Sequence, residues 1–439
     1  MLSTRRLCLL YLVPMNMSYP RLLSVVTLAI AALVVLPAAC SSERTQARSG
    51  SAVSQSLDAT KVSGTTTAPT AALTASRAAL LNTAFAGVSR MPIDPHERDR
   101  ARAQESVVQA CLELGFLDQA AQLADQMQGW RQGNVIALLG QRYAALGQDD
   151  RARACAARAL LVDPGESTWG KDIVATEVAR IYVKLGDDSK AYATVAADLQ
   201  AERGRVEAER TAKLPDAQLD AQADMFDKAI ATMNFDLARG GIDGYLAWLD
   251  RVIDDAPRRE RALKALSAAL PGLPFDLQVR GNVQLADVLF AHGYKELATL
   301  QVDRASELFR ATVFLPEDTA PLGVVVAKAR IRLGDAKAGR AELRRLRTEY
   351  EARAETIVNL RRAASWRALA EGYLSLGDTD DAGYCYAAAL DAGALNPNAR
   401  PRAEDLSATC VSMAVSGFMP PPELLLRIEN IRACLADPW

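Results

Sequence analysis

Histidine is nearly missing from this chain: among 439 residues only His96 and His292 occur, far apart in sequence. Imidazole-based acid–base or metal chemistry is therefore short of material. No C-x-x-C pair, glycine-rich phosphate loop or G-x-S-x-G elbow occurs either. The reading expects no catalytic residue, metal, cofactor or small-molecule substrate. A net positive charge is also lacking, because 51 Lys and Arg stand against 53 Asp and Glu. Without that field there is nothing to hold a polyanion, so no nucleic-acid partner is expected. Extended alternation of Val, Ile and Thr is absent, so strands are not expected. What is present is a half-apolar composition rich in Ala, Leu and charged helix formers. Such a chain folds, and it folds as helices.

The N-terminus reads differently. Leu22 to Leu36 is an uncharged apolar run preceded by Arg21, with Arg5 and Arg6 further back. Fifteen residues are short for a bilayer-spanning helix of about 20, and polar Ser41-Ser42-Glu43-Arg44 follows at once. Residues 1–39 are read as a secretory signal peptide, a spanning anchor being the alternative. Met15 and Met17 are alternative starts. Leu36-Pro37-Ala38-Ala39-Cys40 resembles a bacterial lipobox, with Pro37 where an aliphatic residue is usual. That resemblance implies lipidation of Cys40 and, with Ser41 following, an outer-membrane location if the cell has one. Ordinary leader cleavage nearby is the alternative. Residues 40–76, rich in Ser, Thr, Ala and Gly without an aromatic, read as a flexible tether. Its expected reach is roughly 30 to 35 Å.

From residue 77 onward a unit recurs. A Leu-rich helix ends in Gly and a short polar turn, and a second helix carries Ala-x3-x-x2-Ala spacing. The turn glycines are Gly115, Gly147, Gly186, Gly293, Gly334, Gly377 and Gly417, separated by 32, 39, 107, 41, 43 and 40 residues. Paired helices at such periods indicate an all-α solenoid. Trp366, Leu369, Ala370, Tyr373, Gly377, Ala382, Tyr386 and Ala389 fall at spacings that resemble the tetratricopeptide (TPR) pattern. Leu139, Gly140, Tyr143, Gly147, Ala152, Ala156, Ala159 and Pro164 make a second copy, with others through Tyr182 and Ala286. The resemblance implies a right-handed superhelix of helix pairs with a concave groove. Repeats are expected over 77–200 and 276–439, with the partial units at Gly115 and Gly417 as terminal caps. Between them, 201–275 is read as an irregular longer helical pair plus one extra helix, with Gly240-Gly241 ahead of a helix from Ile242.

Asp94-Pro95-His96-Glu97 is read as a helix start capped by Asp94, with His96 exposed. The acidic clusters at Asp149-Asp150, Asp187-Asp188 and Asp378-Asp380-Asp381 sit in inter-helix turns, where carboxylates cap free N–H groups. Arg344, Arg345 and Arg347 alternate with Glu342, Glu349 and Glu351, as on a solvated helix face. Of Cys111, Cys155, Cys385, Cys410 and Cys434, at least one is free in an exported chain; if any pair bonds, Cys410 with Cys434 is favoured. The TPR resemblance places Asn134, Gln141, Arg180, Lys184, Asp287, Phe290, Lys328, Arg332, Arg367 and Glu371 in the groove. The expected role is a membrane-tethered, non-catalytic scaffold or adaptor that binds a protein or peptide segment in envelope assembly or secretion. The alternative is a holding or assembly chaperone with broad clients.

Overall fold

The computed structural model describes residues 68–165, 167–195, 200–211, 214–232 and 235–439. The expected leader, Cys40 and the tether up to residue 67 lie outside the described residues. Among the described residues the regular structure is entirely helical. The chain opens with α1 (Ala68–Val88), α2 (Ile93–Glu113), α3 (Leu117–Ala124), α4 (Gly129–Ala145), α5 (Asp149–Leu161), α6 (Thr168–Lys184) and α7 (Asp188–Thr194). Then come α8 (Gln200–Arg210), α9 (Asp216–Ile230), α10 (Phe235–Val252) and α11 (Ala256–Ala269). The remainder is α12 (Phe275–Ala291), α13 (Lys295–Ala311), α14 (Pro316–Arg332), α15 (Ala336–Arg353), α16 (Asn359–Ser375), α17 (Thr379–Ala394), α18 (Ala399–Ser416) and α19 (Pro422–Ala433).

The turns that make hairpins of these helices share one construction. All seven turn glycines adopt positive φ, between 68° and 96°. In each, the residue after glycine donates its N–H to the carbonyl five positions back, as Gln148 does to Tyr143 and Asp378 to Tyr373. This closes the first helix and starts the second within a few residues. Asp187, Asp335 and Asp378 then accept the N–H three residues on, at 3.1, 3.0 and 3.3 Å, so these turn acids are caps. Asp149 and Asp150 stand in the first turn of α5 with no side-chain cap bond from Gln148. Small residues let paired axes approach. A Cβ on Gly140 would stand 2.6 Å from Ile181 and 2.9 Å from Cys155, and Ala152, Ala179, Ala298, Ala370 and Ala382 are fully buried. Tyr143 and Tyr373 fill the space between pairs, whereas Tyr182 is only half-buried.

The solenoid curves until its ends meet. First helices of successive pairs pack directly on one another, in the order α2, α4, α6, α8, α10, α12, α14, α16, α18. Neighbouring second helices are joined instead by long side chains, as Arg158 to Asp125, Arg261 to Asp224 and Arg347 to Asp381. Closer spacing on one layer sets the curvature, so first helices lie inside and second helices outside. α18 also packs against both α1 and α2, which closes a ring of nine first helices among the described residues. α1 packs along α18 as an outer helix, beside the contact that α19 makes with it: Leu80, Leu81, Ala84, Phe85 and Val88 of α1 are buried, and Gly87 faces Leu406 and Leu435. Arg90 donates to the Arg432 carbonyl at 2.9 Å across the same seam.

Several expectations are corrected by the structure. The partial units at the two ends are not solvent-facing caps; each covers the other. Residues 68–76, assigned to the tether, form the first turns of α1, since an alanine-rich stretch extends a helix whose other half is docked. Asp94 stands at a kink inside α2, with φ and ψ of −95° and 124°, an extended geometry that the following proline favours and that suits a capping position, and no side-chain cap bond to it is found among the described residues. His96 is half-buried rather than exposed. In the irregular segment α10 is the centre, with α8, α9 and α11 each packed against it. Gly240 and Gly241 lie inside α10, where Gly241 and Gly244 allow contact with Phe226 and Ile230. All five cysteines among the described residues are free, Cys410 being buried and Cys434 exposed. Burial pushes the Cys111, Cys385 and Cys410 thiols up to about 12, which leaves them protonated and unreactive. No described helix is long and apolar enough to cross a membrane.

Candidate functional site

The sequence-derived groove residues come together on the inner wall, and nearly all of them are paired with the neighbouring first helix. Asn134 on α4 donates to Glu105 on α2 at 2.6 Å, beside an ion pair from Arg131. Gln141 on α4 donates to the Glu177 carboxylate on α6 at 2.7 Å. Arg180 holds Glu177 and reaches Glu209 on α8 at 2.9 Å, with Lys184 on the same carboxylate. Asp287 on α12 accepts from Arg332 on α14 at 2.6 Å, and Lys328 approaches Glu371 on α16 at 3.7 Å. Arg367 pairs with Asp405 on α18 at 3.0 Å, and Ser412 donates to Glu371 at 2.8 Å. His292 bridges to Asp250 at 2.8 Å. The seam is tied in the same way, by Arg102 to Glu404 at 2.9 Å and Arg400 to Asp99 at 3.3 Å. Of the ten groove residues only Phe290 is apolar, and it is 38% exposed.

These bonds form a belt that crosses every first-helix junction except α8 to α10, among the described residues. At that junction lies a polar hollow of about 620 Å³, lined by Arg180, Arg205, Glu209, Asp250 and Arg251 among others. Burial alone would raise the Glu209 carboxyl, but Lys184 and Arg180 hold it below the usual range. Burial pushes Asp405 the other way, above the usual range despite Arg367 and Asn396. The belt is a source of register as much as of recognition. Alone, partly exposed pairs contribute little, typically under about 1 kcal/mol each.

The large apolar side chains left in solvent are elsewhere. Connections from each second helix to the next first helix all lie at one edge of the ring. Leu161 and Trp169, Phe275, Val313 and Leu315, Val358 and Leu360, and Leu395 are exposed at or beside those connections. Val313 is 98% exposed and Leu161 85%, far beyond ordinary surface leakage. The same edge contains the largest hollow described, about 1130 Å³, between the starts of α2, α4 and α6. There Trp130 and Trp169 meet edge-to-face at 5.3 Å, with the Arg131 guanidinium 4.3 Å from the Trp130 ring centre. Gly170 makes room, since a Cβ there would stand 2.3 Å from Trp130. Sequence reasoning missed this edge because its residues fall between repeat units, outside any periodic pattern. The run of β-branched and bulky residues at Val313-Phe314-Leu315 in a loop was the available signal. The opposite edge, made of the glycine turns, exposes fewer such groups, including Leu146 and Met419.

The basic patch behaves as a solvated face. Arg345 pairs with Glu342 and Glu349, and Arg347 pairs with Glu351 and Asp381. No group of three or more His, Cys, Asp and Glu suited to a metal occurs among the described residues. No family model, no curated protein and no solved structure matches this chain.

Proposed function

We propose that the protein is a non-catalytic scaffold or adaptor, built of TPR-like helix pairs and tethered to a bacterial membrane through a lipidated Cys40. It faces the periplasm or exterior, the outer membrane being favoured where one exists, and serves envelope assembly or secretion by holding a protein or peptide segment. The observation that carries this reading is the apolar edge, where Leu161, Trp169, Val313, Leu315, Val358 and Leu360 stand exposed on neighbouring connections. Apolar anchors on a rigid frame, rimmed by polar groups, are how a partner is captured. The inner-wall charges act mainly on each other and give the frame its rigidity. The breadth of the edge also favours a second reading, a holding chaperone with many clients.

Photo-crosslinking side chains placed singly at Trp169, Val313 and Val358, with Lys328 and Arg332 as inner-wall comparisons, separate these readings in intact cells. One dominant adduct from the edge positions supports the adaptor. A ladder of many adducts from the same positions supports the chaperone. Adducts from Lys328 and Arg332 alone would move the contact to the inner groove, and none from any position would sink the scaffold. Labelled palmitate incorporated by wild type and lost in Cys40→Ser checks the anchor.

A further inference from the structure

We propose that the cleft between α7, α8, α9 and α10 is a binding site for an apolar monoanion of fatty-acyl size. The cleft measures about 380 Å³, within the range of roughly 300 to 1,000 Å³ that small-molecule sites occupy. Its walls include Tyr192, Met225, Phe226 and Leu237. Two glycines inside helices, Gly204 on α8 and Gly240 on α10, complete the lining.

Those glycines separate a ligand site from a packing defect. At most other helix positions glycine is explained by contact: a Cβ on Gly133, Gly170, Gly244, Gly281, Gly323 or Gly372 would stand within 2.3 to 3.1 Å of a neighbouring atom, whereas on Gly87 or Gly383 it would make ordinary contact at 3.5 Å. A Cβ on Gly204 or Gly240 would meet nothing within 4 Å among the described residues. Glycine weakens a helix interior, so its use at both positions without a packing reason marks the space itself as what is kept open. Gly241, the next residue, shows the contrast within one turn, since its Cβ would reach 2.9 Å from Ile230.

Charge at the cleft selects the ligand's polar end. Lys228 lines it, is exposed, and has no ion-pair or hydrogen-bond partner among the described residues. Arg203 lines it as well, with one guanidinium nitrogen donating to the Val195 carbonyl at 3.3 Å. The one acid in the lining, Glu207, is offset by Arg210 at 3.7 Å, and burial pushes its carboxyl above the usual range. The balance is cationic beside an apolar chamber, which complements a carboxylate on an apolar chain.

Fluorescence titration of the purified soluble chain with cis-parinaric acid tests this, with its methyl ester as the uncharged comparison. Saturable one-to-one enhancement is expected for wild type. Gly204→Leu with Gly240→Leu should weaken binding at least tenfold while the melting temperature holds or rises. Lys228→Glu should weaken binding of the acid by about three- to tenfold and leave the ester unchanged. Should the Leu pair unfold, Gly204→Ala with Gly240→Ala, whose methyls meet open space, should fold and still weaken binding several-fold. Trp169→Ser with Val313→Ser, which alter the apolar edge, should leave the titration unchanged. No saturable signal from wild type, equal affinity in the folded glycine variants, or loss of signal only in the edge variants would each overturn the proposal.

Discussion

The arc from α12 to α17 and the arc from α8 to α11 build the same ring wall by different means. In the first, small residues set the spacing: Gly281, Gly323, Gly339 and Gly372 each sit within 2.6 Å of a Leu or Ile carbon from a neighbouring element, measured from where a Cβ would lie. In the second, aromatic rings fill the space. Phe226, Tyr245 and Trp248 form a chain of ring contacts at 5.6 and 5.8 Å, and Tyr245 and Trp248 are fully buried. Their polar atoms are satisfied, Trp248 Nε1 donating to the Leu219 carbonyl at 2.9 Å and the Tyr245 hydroxyl to Asp227 at 2.6 Å. A repeat spacing is therefore not required for a helix pair to join the ring; what is required is that the volume between pairs be filled.

The sharpest way to break this comparison is Trp248→Ala. It should cost about 3 to 5 kcal/mol, because it leaves a cavity and removes the indole hydrogen bond to the Leu219 carbonyl. Denaturant unfolding with hydrogen exchange should find the loss centred on α8 to α11. An equal loss of protection around α16 would show that the two arcs are not separate packing systems. Next in size, glycine substitution should have opposite signs at a close-packed position of the first arc and an open position of the second. Gly372→Ala should destabilise by about 1 to 3 kcal/mol, since its Cβ would stand 2.5 Å from Leu343. Gly240→Ala should stabilise by about 0.5 to 1 kcal/mol. Matching melting shifts of one sign would refute the distinction. The smallest effect concerns Glu209. Its folded-state carboxyl is held below the ordinary value of about 4.3, so the stability it adds is present above that pH and is lost as pH falls through it. Glu209→Gln should cost up to about 1 kcal/mol at pH 7 and flatten the acid limb of the stability curve. An unchanged acid limb would show that the Arg180 and Lys184 contacts contribute nothing.

Local features were legible in the residues. Turn glycines followed by Asp, and Ala at fixed spacing, predicted where hairpins close because those preferences act within a few residues. Contacts between distant residues left no such trace. Nothing near Arg332 points to Asp287, 45 positions earlier, so a row of groove charges expected to meet a ligand was a row of partners for one another. Replacing Arg180, Lys184, Lys328 and Arg332 together removes ties at three junctions. Gly240-Gly241 was read as an interruption on propensity alone, whereas close packing against Phe226 and Ile230 keeps α10 continuous. The exposed edge had no pattern to betray it, because solvent-facing loop residues carry no period.

The docking of α1 on α18 sets an order of events during synthesis. Most solenoid contacts are local, which allows a chain to fold from its N-terminus as it emerges. Here α1, the first helix among the described residues, has its partner α18 more than 300 residues later. Until α18 is made, α1 has only its contact with α2 and the Gln119 bonds from α3, and the face that α18 covers stays open; the last closure must then bear the entropy of joining the two ends of a long chain. Nascent chains arrested before residue 399 should therefore present a sticky N-terminal helix, which a chaperone has to shield until the ring is complete.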